Sequence, residues 1–184
     1  QLGLGAAGFG IASLMVDAGA GRVLASDPLE ASHPRARESG VEIGTMQEVM
    51  RESDVVVATT GRPGLIKPSM IRPGQVILAL TNPDPEIEPD EAEAAGAAFA
   101  ADGRSVNNVL GYPGIFRGAL QSGAAGINVE MKLAAARAIA DLTGEDELVP
   151  NALDRSVHDA VACAVKGAAE ASGIARPELT TVGH

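Results

Sequence analysis

Two uninterrupted apolar runs constrain this chain more than any other feature. Residues 54–59 read DVVVAT and residues 75–80 read QVILAL. A strand with one wet face alternates apolar and polar residues, whereas a run apolar at nearly every position fits a strand covered on both faces. Around these runs lie stretches of helical spacing. Residues 6–18 carry Ile11, Leu14, Met15 and Ala18 three and four apart, and Gly19 ends the pattern. A strand over residues 22–26 follows and stops at Asp27-Pro28. Residues 45–52 form a helix, with Thr45 as N-cap and Glu48 completing a capping box. One helical turn at 68–71, a helix over about 89–95 and a short last strand at 97–100 complete the alternation. Residues 107–113 read as irregular, and 115 to about 172 as mostly helical. Strand–helix alternation with apolar strands predicts an α/β fold. The expected form is a doubly wound parallel sheet with helices on both faces and a helical C-terminal region, as one domain over residues 1–184.

Composition narrows the function. Apolar residues make up 46% of the chain but aromatics only 2%, so the core is built from Ala, Val, Ile and Leu. A net charge of −10 excludes a nucleic-acid surface, which needs clustered Lys and Arg. No apolar run reaches the ~20 residues of a spanning helix, and no secretory leader opens the sequence. The expected setting is cytoplasmic, away from membranes. The single Cys163, in an Ala/Val-rich stretch, is expected to be a small buried hydrophobe.

Gly3-Leu4-Gly5-Ala6-Ala7-Gly8 matches G-x-G-x-x-G. In a dinucleotide-binding loop the first glycine permits the tight turn. The second lets backbone approach a pyrophosphate, and the third lets helix and sheet close together. The following helix offers free N–H groups and a positive dipole end to the anion. The next strand ends at Asp27, 19 residues after Gly8, where a carboxylate accepts a ribose 2′-hydroxyl and repels a 2′-phosphate. A turn residue before Pro28 is the plainer role for Asp27. These features favour a Rossmann-type fold holding NAD, with NADP left open by Arg35 and Arg37 downstream. The loop should be fed by a central strand, yet only Gln1 and Leu2 precede Gly3. The expectation is a chain truncated at its N-terminus.

Ligands of open α/β sheets sit beyond the carboxyl ends of the strands. Two amide-bearing loops fall there: Thr81-Asn82-Pro83 directly after QVILAL, and Asn107-Asn108 within VNNVLGYPGIFRGAL. An amide offers donors and an acceptor without charge, suited to a carboxylate, carboxamide or hydroxyl, although Asn and Pro also serve simply as turn residues.

The succession GLGAAG, Asp27, LALTNPDPEI, VNNVLGYPGIFRGAL and EMKLAAARAIA resembles the C-terminal NAD(P)-binding domain of bacterial-type malic enzymes, from Gly3 to about Arg176. The resemblance implies oxidation of malate by hydride transfer, then decarboxylation to pyruvate, with a divalent metal (Mg or Mn) polarising the substrate oxygen. It implies that Gly5, Ala6, Ala7, Gly8 and Phe9 hold the pyrophosphate, with Gly3 belonging to the same cofactor-binding loop, and that Asp27 and Thr60-Gly61 face the ribose side. Asn82 would stand where nicotinamide and malate meet, and Asn108 would bind the substrate carboxylate. The family's tyrosine acid, lysine base and acidic metal ligands are expected before the glycine loop, so no catalytic residue and no metal site is assigned within this chain. Tyr112 is expected to pack, Arg117 to form a structural ion pair, and Lys132 and Arg137 to lie on a solvated helix face. The resemblance further implies a homodimer or larger assembly. SGIAR near residue 172 resembles the end of the short enzymes. Two alternatives stay open: a malolactic or oxaloacetate-decarboxylating relative, and a non-catalytic dinucleotide-binding module.

Overall fold

The computed structural model of the protein describes residues 1–106, 109–144 and 147–176. The chain divides into two units, Gln1–Val106 and Asn107–His184.

In the first unit every ladder among the described residues is parallel. Strand β1 (Leu24–Ala25) pairs with β2 (Glu42–Ile43), and β3 (Val55–Ala58), β4 (Val76–Ala79) and β5 (Phe99–Asp102) pair in that order. The chain start joins the two ladders. Leu2 donates its N–H to Val57 O (2.8 Å) and accepts from Thr59 N (2.9 Å). On its other side Gly3 N reaches Ser26 O, and Ser26 N reaches Gln1 O, both at 2.9 Å. The spatial order is therefore β2, β1, Gln1 to Gly3, β3, β4, β5, the order of a doubly wound sheet. Gln1 to Gly3 occupy the central position that the glycine loop demanded.

Helices α1 (Ala6–Asp17), α2 (His33–Glu38), α3 (Met46–Glu52) and α4 (Pro89–Ala94) cover this sheet. The two-residue period of a strand distributes β1 between opposite faces. Val23 and Ala25 pack with Leu4, Ala12, Ala36 and Val41, while Leu24 packs with Val49, Met50 and Val56. The capping box at α3 is formed: Thr45 Oγ1 accepts from Glu48 N, and Thr45 N donates to Glu48 Oε2 at 2.7 Å.

Three local differences from the sequence reading have physical causes. β1 is shorter than residues 22–26 because its partner β2 offers only two residues. The last strand begins at Phe99 rather than 97, because Ala97 N is used to close α4 on Ala92 O (3.1 Å) after Gly96 turns the chain at φ +107°. Helix α2 and strand β2 were not foreseen; six and two residues are too short to show a period.

The second unit contains α5 (Tyr112–Gln121), α6 (Val129–Asp141) and α7 (Arg155–Ala171) around Leu110, Met131, Ala135, Val157, Val161, Val165 and Ala169. Helix α5 starts three residues earlier than its apolar pattern indicated, with Pro113 in its first turn. It closes on α7 through Gly114 and Gly118. A Cβ there would fall 2.6 Å from Val161 Cβ and 2.6 Å from Ala162 O, respectively. Asn128 and Asp154 cap α6 and α7. Cys163 corrects one expectation: it is exposed on α7, because the buried stripe runs through Val157, Val161, Val165 and Ala169 and leaves position 163 outside it. Arg117 pairs with Asp159 at 2.6 Å, and Lys132 and Arg137 are exposed. The Tyr112 ring packs 4.6 Å from that of Phe116 on an exposed face. Among the described residues no helix is long and apolar enough to cross a membrane.

Candidate functional site

A cleft of about 630 Å³ opens at the carboxyl edge of the first unit's sheet. Gly3, Gly5, Asp27, Glu30, His33, Thr45, Thr60 and Arg62 are among its lining residues. The glycine loop forms its floor, and each glycine has a separate steric reason. Gly3 sits at φ +85°, with Thr59 O only 2.7 Å from where a Cβ would stand. Gly8 is tighter: a Cβ would lie 2.0 Å from Gly3 O. At Gly5 a Cβ would meet nothing within 4 Å, so its bare backbone faces open space. The first rung of α1 is Phe9 N to Gly5 O (2.9 Å). The N–H groups of Ala6, Ala7 and Gly8 therefore have no acceptor within the helix, and Ala6 and Ala7 are exposed.

Asp27 stands at the end of β1 and is engaged twice. Its Oδ2 accepts from Leu4 N, tying it to the glycine loop, and Oδ1 accepts from Leu29 N at 2.7 Å. The second contact is an Asx-turn, so the turn role is present and the carboxylate lines the cleft as well. Arg35 is committed elsewhere. Its Nη2 donates to Leu4 O at 2.8 Å and its guanidinium lies 4.2 Å from the centre of the Phe9 ring. His33 Nε2 is 2.8 Å from Asp27 O.

The loops after β3 and β4 meet on a residue that the sequence reading passed over. Glu86 is fully buried. Its Oε1 accepts from Thr60 N (2.7 Å), Thr60 Oγ1 (2.8 Å) and Thr81 Oγ1 (2.6 Å), and Oε2 from Thr81 N (3.3 Å). Burial, the largest single influence, pushes the carboxyl pKa up. The bonds from Thr81 and Thr60 together outweigh it and hold the group below the usual glutamate range. A glutamate in a proline-rich loop ordinarily reads as solvated, and only its place inside TNPDPEI could have drawn notice.

Asn82 is exposed at the end of β4 and is not among the residues lining the cleft. Its Nδ2 donates to Gly103 O at 3.4 Å, across the carboxyl ends of β4 and β5. Gly61 turns at φ +68° and donates to Thr81 Oγ1 at 3.0 Å. Asn108 lies outside the described residues. Among the described residues no three His, Cys, Asp or Glu side chains are grouped to hold a metal ion.

The parallel sheet order, the three-glycine turn into a helix N-terminus and the acidic end of the next strand define a Rossmann-type α/β domain, the class of fold that carries dinucleotides. No family model matches the chain. NAD-dependent malic enzyme 1 of Bacillus subtilis is 54% identical over 170 residues, covering 92% of this chain and 39% of that protein. The NADP-dependent malic enzyme of Halomonas elongata is 39% identical over 160 residues, covering 72% and 38%. The crystal structure of malic enzyme from Pyrococcus horikoshii superposes with a TM-score of 0.83 at 34% identity, over 97% of this chain and 49% of that one. The chain belongs to the malic enzyme family, and it spans about two fifths of the length of these curated relatives.

Proposed function

We propose that this chain holds NAD at the carboxyl edge of its sheet, as the cofactor-binding part of an enzyme that oxidatively decarboxylates malate to pyruvate and carbon dioxide. One observation carries the reading: the cleft is floored by Gly3 and by Gly5, the N-cap of α1, where a Cβ would meet nothing within 4 Å, and its side carries Asp27. That arrangement fits an anionic pyrophosphate beside a ribose hydroxyl. When bound, the nicotinamide supplies the hydride acceptor for malate C2, and loss of carbon dioxide from the resulting 2-oxo acid leaves an enol that is protonated to pyruvate. The residues of this chain bind and orient. Gly5 to Phe9 receive the pyrophosphate, Asp27 accepts from the ribose, Thr60 and Gly61 border the ribose side, and Asn82 and Asn108 contact the reacting end and the malate carboxylate.

NAD is favoured over NADP by two features of the cleft. Asp27 and Glu30 both line it, and a 2′-phosphate would meet their charge. Arg35, one cation near the cleft, is held on Phe9 and Leu4 O, which leaves Arg62 as the arginine among the lining residues. The Mg or Mn that the family resemblance implies is assigned, with its acidic ligands, to other parts of the enzyme. The same reading carries a homo-oligomeric, cytoplasmic protein. The deciding experiment incubates the full-length enzyme with malate, Mn²⁺ and either NAD or NADP, and follows reduced cofactor together with pyruvate and lactate. Pyruvate formed with reduction of NAD is the expected result. Lactate without net reduction would replace the reading with a malolactic one, and no turnover of malate would remove it.

A further inference from the structure

Glu86 does more than satisfy its own burial. The hydroxyls of Thr60 and Thr81 each carry one proton, and both give it to Glu86 Oε1. Their lone pairs are then left to accept from Arg62 N (3.2 Å) and Gly61 N (3.0 Å). The direction of every bond in this relay follows from one acceptor-only carboxylate at its centre. The main chain adds two ties: Gly64 N to Pro85 O (3.1 Å) and Ile66 N to Glu86 O (3.0 Å). Residues 60–66 are thereby fastened to residues 81–86 from behind, while Thr60, Arg62 and Leu65 present their other side to the cleft. Glu86 itself is not among the lining residues.

We propose that Glu86 is a positioning residue for the dinucleotide: its buried carboxylate orders residues 60–62 as one wall of the cleft and so sets the affinity for the cofactor. The inference rests on the reading of this cleft as a dinucleotide site. An amide in place of the carboxylate would turn an N–H₂ toward groups that are already donors, and the wall would have to rearrange.

The test measures NADH dissociation constants by fluorescence in the whole protein, with circular dichroism and thermal melting on the same samples. E86Q is expected to weaken NADH about tenfold or more, the usual scale for losing hydrogen bonds to a charged group. Thr81→Val breaks the relay while keeping Glu86 and is expected to weaken NADH by a smaller factor. Thr81→Ser, which restores the hydroxyl, is expected to recover it; a general packing role for Thr81 would not give that rescue. If the unaltered protein binds neither NADH nor NADPH, the dinucleotide reading is overturned and this inference with it. If the unaltered protein binds NADH and folded E86Q binds it equally well, the inference alone is overturned. Should E86Q fail to fold, the Thr81 pair decides: equal affinity in Thr81→Val and Thr81→Ser overturns the inference.

Discussion

Gly8→Ala and Gly5→Ala, three residues apart in one loop, should fail in opposite ways. At Gly8 the new Cβ would lie 2.0 Å from Gly3 O, 2.7 Å from Thr59 Oγ1 and 2.8 Å from Gln1 Nε2. None of these can easily give way. Gly3 O is backbone in the centre of the sheet, and Gln1 Nε2 is pinned by Leu2 O (2.9 Å), Gly3 O (3.0 Å) and Thr59 Oγ1 (2.9 Å). Overpacking of this kind costs about 3 kcal/mol, the upper end of the common range. Replacing glycine inside a helix returns about 0.5–1 kcal/mol, so steric overlap wins by about 2 kcal/mol. For a chain of this size that is a fall in Tm of about 4–8 °C. At Gly5 the Cβ meets nothing within 4 Å and φ is −59°, so only the modest preference for glycine over alanine at an N-cap is lost, under about 1 kcal/mol. Its cost is expected to fall on binding, because on the proposed reading the methyl occupies the space through which the pyrophosphate approaches. Thermal melting and NADH titration of both variants separate the effects. A Gly8→Ala protein melting within about 1 °C of the unaltered one, or a Gly5→Ala protein destabilised as much as Gly8→Ala, would refute the steric assignment.

Glu86 has a folded pKa below its unfolded one, so its contribution to stability is present above the unfolded value of about 4.3 and is lost as pH falls through the folded one. The gap in unfolding free energy between the unaltered protein and E86Q should therefore narrow on acidification below about pH 4.3; a gap independent of pH there would contradict the linkage. Asp27→Ala is expected to weaken NADH more than NADPH, since on the proposed reading it removes a ribose acceptor and a charge hostile to a 2′-phosphate. Equal weakening of both cofactors would withdraw the specificity role. In the full-length enzyme, Asn108→Ala should raise the KM for malate well beyond that for NAD, and equal changes in both would count against a carboxylate contact.

Much of the fold was legible because its signals are local. DVVVAT and QVILAL became β3 and β4 because a strand apolar at nearly every position has few other places to go, and Thr45 and Glu48 carry their capping box within four residues. The glycine spacing was equally readable, since Gly3 and Gly8 answer to backbone of the adjoining strand and of the same loop, and Gly5 stands between them facing open space. Other outcomes depended on partners distant in the chain. β1 is as short as β2 allows, and Cys163 is exposed because the α7 stripe that meets α5 and α6 passes it by. Glu86 carries no sequence signal of its own. Its burial and its four donors come from Thr60, 26 residues earlier, and from Thr81. By itself the sequence determined the α/β class, the glycine turn into α1 and the family, all of them patterns of spacing along the chain. Tertiary structure alone decided which polar groups lost water and which donors met them, because burial and hydrogen-bond direction are properties of neighbours in space.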